Sequence, residues 1–227
     1  PEQLAYLSVL INDSSTNSQY ASLYYEQTTD LDMSAYYWDA IGEFTAYNDY
    51  RAFSGFYDGG GFTIAGLYTE AGTTSDYSFQ GLFGYIKGTT SNFAEIHDVG
   101  IIDSNIQGYQ YIGGIAGYAS SSLTITNCYN TGSVTGSSDY VGGIAGDASY
   151  FSTITNCYNT GSVSGNNQVG GIAGSAYFST AIKNCYNTGS VIGSAGGACG
   201  AGGIAGRAAD GASITKWYDN GRVGGGG

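Results

Sequence analysis

The sequence predicts an all-β protein, a parallel β-solenoid of about six coils with a short N-terminal capping α-helix. Three observations carry that prediction. The octapeptide Asn-Cys-Tyr-Asn-Thr-Gly-Ser-Val recurs unchanged at 127–134, 156–163 and 184–191. Gly-Gly-Ile-Ala-Gly precedes each copy, at 113–117, 142–146 and 170–174, and occurs again at 202–206. Between them lie short segments rich in Ile, Val and Thr, bounded by Gly, Asn and Ser clusters and lacking helical periodicity, which read as strands and turns. A unit of this length cannot bury its apolar face alone and must stack on its neighbours.

The first residues differ from the rest. Pro1 to Ile11 carries apolar residues Leu4, Leu7 and Ile11 at helical spacing, with Pro1 and Glu2 in the first turn, where both are favoured. This helix is expected to cover the first coil and hide its strand edge. The turn-rich stretch Asn12 to Ser18 ends it. Strand-like segments follow at Ala21–Glu26, Leu31–Met33 and Phe53–Phe56, with a tight turn at Asp58 to Gly61. Residues 1–60 thus form an N-terminal cap and first coil, and residues 61–227 the solenoid repeats, in a single continuous domain.

Aligned on their apolar residues, the units place Ile64, Ile96, Ile125, Ile154, Ile182 and Ile214 in one column. Three positions on, a second column reads Leu67, Val99, Cys128, Cys157, Cys185 and Trp217. A third reads Ile106, Val134, Val163, Val191 and Val223, and the tetrapeptide Gly81-Leu-Phe-Gly84 is a degenerate predecessor of the pentapeptide. Adjacent coils should rise by about 4.8 Å, giving a rod about 30 Å long. Glycines would serve the sharp corners and close coil contacts.

Charge narrows the function classes. The net charge is −12, and 14 of the 18 acidic residues lie at or before Asp103, opposed there only by Arg51 and Lys87. With no basic patch to release counterions from phosphate, nucleic acid is excluded as a partner. Anionic membrane surfaces are disfavoured likewise, and no apolar run is long enough to span a bilayer. Only 11% of residues are charged whereas Tyr numbers 22. Solubility therefore rests on hydroxyl and amide groups, a surface style of extracellular β proteins.

The pentapeptide followed by Ile-Thr-Asn-Cys-Tyr-Asn-Thr-Gly-Ser-Val closely resembles the GLUG repeat of bacterial surface proteins. The upstream stretch from Leu4 through Asp30, Asp32, Trp38, Ile41 and Phe53 to Ile64 looks like the leader that precedes such repeats. The resemblance implies a secreted or surface-displayed solenoid used for adhesion or as a spacer, found also beside secreted immunoglobulin-cleaving peptidases. It implies no catalytic residues, and the chain holds no His-Glu-x-x-His.

Candidate chemistry divides by column. Cys128, Cys157 and Cys185 share a slot also filled by apolar residues, so they read as small core hydrophobes rather than as paired zinc ligands. Their disulfide state, and that of Cys199, stays open. Tyr129, Tyr158, Tyr186 and Tyr218 follow the cysteine slot and point outward. They form either a stabilising aromatic ladder or a contact for a ligand or subunit. Asn130, Asn159, Asn187 and Asp219 align at a turn and should satisfy its amides. Asp30, Asp32 and Asp58 are where calcium would bind, although no EF-hand loop occurs and a solvated acidic surface suffices. His97 reads as an exposed strand residue.

The sequence therefore predicts a non-catalytic extracellular structural or adhesive solenoid, with no cofactor and no metal. Its expected partner is itself, head to tail in a filament, or the rest of a larger surface protein. A carbohydrate-binding module using the outward tyrosines to hold a glycan or host-surface ligand is the alternative. A polysaccharide-degrading β-helix enzyme is the third reading.

Overall fold

The structure is a computed structural model that describes residues 1–46, 49–89, 93–195 and 200–225. A repeat coil contains five short strands. In one coil they are Ile112–Gly113, Ala116–Ser120, Leu123–Thr126, Tyr129–Asn130 and Ser133–Gly136. Each pairs in parallel with its equivalent one coil on, so that like residues meet: Ile125 with Ile154, Val134 with Val163, Asn130 with Asn159. The β-branched and glycine-rich sequence suits short pleated strands joined by sharp corners.

Two of the parallel sheets have seven strands, so the solenoid makes about seven turns rather than six. The additional turn lies upstream, where Tyr24–Glu26 pairs with Phe56–Asp58 and Leu31–Asp32 with Thr63–Ala65. The sequence columns were displaced here. Tyr57, not Ile64, pairs with Ile96, whereas Ile64 pairs with Ile101 and continues the Asn130 column. Tyr57 and Ile64 are separated by the glycine turn, which is two residues longer than the corner between Ile125 and Asn130. Leu67 consequently leaves the cysteine slot and sits one corner further on, its amide donating to Ser104 Oγ at 2.9 Å.

Stacking like residues builds one continuous core. Ile115, Ala116, Ile125, Cys128 and Val134 of one coil are fully buried, as are Ile144, Ala145, Ile154 and Cys157 of the next. The small pentapeptide residues let coils approach closely. A Cβ on Gly143 would run into the Gly171 carbonyl oxygen and the Asn159 side-chain amide. Trp217 continues the cysteine column but is 57% exposed, because it belongs to the last coil described.

The helix spans Glu2–Asn12 and buries Leu4, Leu7 and Ile11 in the same core cluster as Trp38, Ile41 and Phe53. It also completes the backbone pairing at the first coil. Asn12 Nδ2 donates to the Ala40 carbonyl at 2.9 Å, and Asn12 Oδ1 accepts the Gly42 amide at 2.7 Å. Ser8 Oγ donates to the Asp39 carbonyl at 2.7 Å. The Asn12 amide thus imitates the peptide group of a preceding coil, satisfying an edge that would otherwise be open. Asn12→Ala is expected to cost about 1–3 kcal/mol, the penalty for orphaned buried polar groups. Equilibrium urea unfolding checks this, and an unchanged midpoint would deny the helix its capping role.

Candidate functional site: a groove where the aromatic ladders break

The residue that follows each pentapeptide points outward along one face. In register these are Tyr85, Tyr118, Asp147, Ser175 and Arg207. Tyr85 and Tyr118 stack with centroids 5.3 Å apart and planes 10° apart. The stack then stops at Asp147. Beside it, Phe79, Tyr111 and Tyr140 form a second stack, with centroid spacings of 4.9 and 4.5 Å. All three occupy left-handed corners, as does Gln168, which takes the next place and ends this stack too. Two ladders therefore end within one coil of each other.

The opposite side is closed by Tyr150 and Phe178, stacked at 4.6 Å, and by Tyr177, over whose ring the Arg207 guanidinium lies at 4.5 Å. At the N-terminal end, strand Glu43–Ala46 pairs antiparallel with Asp49–Arg51. Phe44 from this hairpin packs on Phe79 and Tyr85, with centroids 5.1 and 5.6 Å away. The result is a groove of about 1090 Å³ running along the rod.

Asp147 lies on its floor and is only 7% exposed. Burial pushes its pKa up to about 6, against the lowering influence of the nearby Ser175 and Ser149 hydroxyls and the more distant Arg207 charge. Both serine hydroxyls are buried and face the Asp147 carboxylate. The phenol of Tyr111 is also raised, first by burial and then by Tyr140 and Asp147. A desolvated carboxylate backed by two buried hydroxyls, with aromatic rings lining the same groove, forms a constellation suited to holding a polar ligand.

The tyrosines singled out from sequence lie elsewhere. Tyr129, Tyr158 and Tyr186 stack at 4.8 and 4.9 Å, nearly parallel, and Tyr218 continues their strand register. The run of rings begins after Gly100, which pairs with Thr63 on its other side and where a Cβ would strike the Tyr129 ring. This ladder does not line the groove. The groove residues had a legible signal, since they are the variable positions immediately after an invariant pentapeptide.

The remaining candidates sort into structural roles. Asn130, Asn159 and Asn187 are fully buried, and each donates both to a glycine carbonyl two residues on and to the side chain of the next rung, ending at Asp219. Cys128, Cys157 and Cys185 are buried free thiols whose Sγ atoms face carbonyl oxygens, and burial raises the Cys157 pKa. Cys199 lies outside the described residues. Asp30 accepts from the Thr63 amide and hydroxyl, and Asp32 from the Ser34 amide. His97 is not simply exposed: its Nδ1 lies 2.8 Å from Asp98 and 3.4 Å from Asp58, with its side chain 23% accessible. These three are the one group among the described residues with metal-ligand proximity, and their mutual pairing accounts for it.

Residues 108–135, 137–164 and 165–192 each match the GLUG motif. No curated protein matches the chain. The fold is similar to that of a crystal structure from Bacteroides ovatus described as a "putative immunoglobulin A1 protease". The TM-score is 0.67 at 24% identity, over 88% of this chain and 68% of that one.

Proposed function

We propose that this chain, a β-solenoid with three tandem GLUG motifs, is a non-catalytic scaffold that is secreted or displayed at the surface of a bacterial cell. It acts there as a rigid adhesive spacer. The observation that carries this reading is where the repeated residues are used. The pentapeptide supplies the close coil contacts, and the octapeptide supplies the buried Cys column and the Asn ladder. The repetition therefore maintains a rod, and the rod's surface, poor in charge and rich in Tyr, suits an extracellular setting.

Continuation into a larger surface protein, or self-association, belongs to the same proposal. Antibodies to the purified chain should label intact cells of the organism that makes it. Labelling only after permeabilisation would remove the surface reading. Incubation with immunoglobulin A1 or with polysaccharides should leave both uncut; cleavage would overturn the non-catalytic part.

A further inference from the structure

We infer that the groove beside Tyr118 and Asp147 is a binding site for a neutral oligosaccharide, held by ring stacking and by hydrogen bonds from its hydroxyls. This gives the adhesive part of the proposed function a ligand class and a location.

The floor of the groove is one face of the parallel sheet whose strands include Ala116–Ser120, Ala145–Ser149 and Ala173–Ala176, each hydrogen-bonded on both sides. No backbone donors or acceptors remain there for an added strand, so an extended peptide would lose its usual means of docking. A ligand must instead be recognised by side chains. Those present are aromatic rings, a buried carboxylate, buried serine hydroxyls and an arginine at the far end.

Spacing is the second element. Tyr118 has one ring face against Tyr85, so its other face looks along the column toward Asp147 and the small Ser175. From Tyr118 to Arg207 the column advances three coils, about 14 Å at the strand spacing. Where a continuous ladder would put two more rings, the column carries the short, buried side chains of Asp147 and Ser175, and the rings around them, Tyr118 among them, line the groove. Sugar rings would lie against Tyr118, and the Asp147 carboxylate, backed by the Ser149 and Ser175 hydroxyls, would accept hydrogen bonds from sugar hydroxyls.

Charge selects among glycans. Asp39, Glu43, Asp76 and Asp147 line the groove against Lys87 and Arg207. Four acids against two bases disfavour an acidic polysaccharide, which leaves uncharged sugars as the fitting class.

The probes are a panel of neutral tetrasaccharides with gluco, manno, galacto and xylo configurations, titrated by calorimetry and by saturation-transfer NMR. At least one should bind the unaltered protein. Tyr118→Ala and Asp147→Asn should each weaken that binding by about 10-fold or more, the order expected when a stacking face or a charged hydrogen-bond acceptor is lost. Tyr158→Ser, on the other face, should leave it unchanged. Circular dichroism of each variant establishes that the solenoid is intact. Absence of binding across the panel, or binding lost with Tyr158→Ser and kept with both groove variants, would overturn the inference. Neither outcome would touch the scaffold reading, which rests on cell-surface labelling.

Discussion

Asn159→Ala is expected to destabilise the protein by about 3–5 kcal/mol, because it orphans several buried groups at about 1–3 kcal/mol each. Asn159 Nδ2 donates to the Gly161 carbonyl at 2.8 Å and to Asn187 Oδ1 at 2.9 Å. Its Oδ1 accepts from Asn130 Nδ2 at 2.9 Å. All of these groups are sealed from water, so none can turn to solvent instead. The outer ladder provides the contrast. Asn156 donates to Asn127 at 3.2 Å and accepts from Asn184 at 3.1 Å, but these bonds are exposed. Asn156→Ala should cost about 1–2 kcal/mol, mostly for placing alanine at a left-handed corner. Chemical unfolding of the two variants side by side checks this, and equal losses would mean that the inner ladder is no more than decoration.

Asp147→Asn is expected to stabilise the protein at neutral pH. The folded-state pKa is raised from 3.8 to about 6, chiefly by burial. Between those values the native state binds the proton more tightly than the unfolded chain, so stability falls as pH rises through this window. Above it, the buried charge costs about 3 kcal/mol. The amide removes that cost, so the gain should be full at pH 7 and should disappear near pH 4. Asp98 acts in the opposite sense. His97 and Asn127 hold its pKa down, so its stabilisation is present at neutral pH and lost on acidification. Thermal midpoints of wild type and variant between pH 4 and 7 separate the two, since only the Asp147 contribution differs between the proteins. A gain that did not shrink toward pH 4 would show that packing, not charge, was relieved.

The solenoid was legible wherever the repeat is exact. The pentapeptide, the cysteine slot and the Val134 column align in sequence as they pair in space. Legibility failed upstream for a physical reason. Tyr25 and Tyr57 take the place of isoleucine in the first coils, and the glycine turn after Tyr57 adds residues, so matching apolar residues alone slipped the register. The hairpin at Glu43 was invisible because it belongs to no column. The site was missed for the converse reason. Tyr129, Tyr158, Tyr186 and Tyr218 stand out in the sequence because they repeat, whereas the groove is made by positions that do not. Asp147, Ser175 and Arg207 follow identical pentapeptides, and their divergence carries the chemistry. Which columns converge on one groove depends on the path of the corners, and that path is set by left-handed residues such as Tyr111 and Tyr140 rather than by a sequence pattern.

The central claim is that the repeated residues hold the rod and the breaks in repetition make the site. Asp147→Tyr tests it most directly, by extending the Tyr85–Tyr118 column one coil further. Titration of the folded variant with the neutral tetrasaccharide panel is the measurement. A ring there should stack on Tyr118 as Tyr140 stacks on Tyr111, at about the strand spacing. The account predicts a thermal midpoint at or above that of the unaltered protein, with oligosaccharide binding abolished. A folded variant that binds as the unaltered protein does would contradict it.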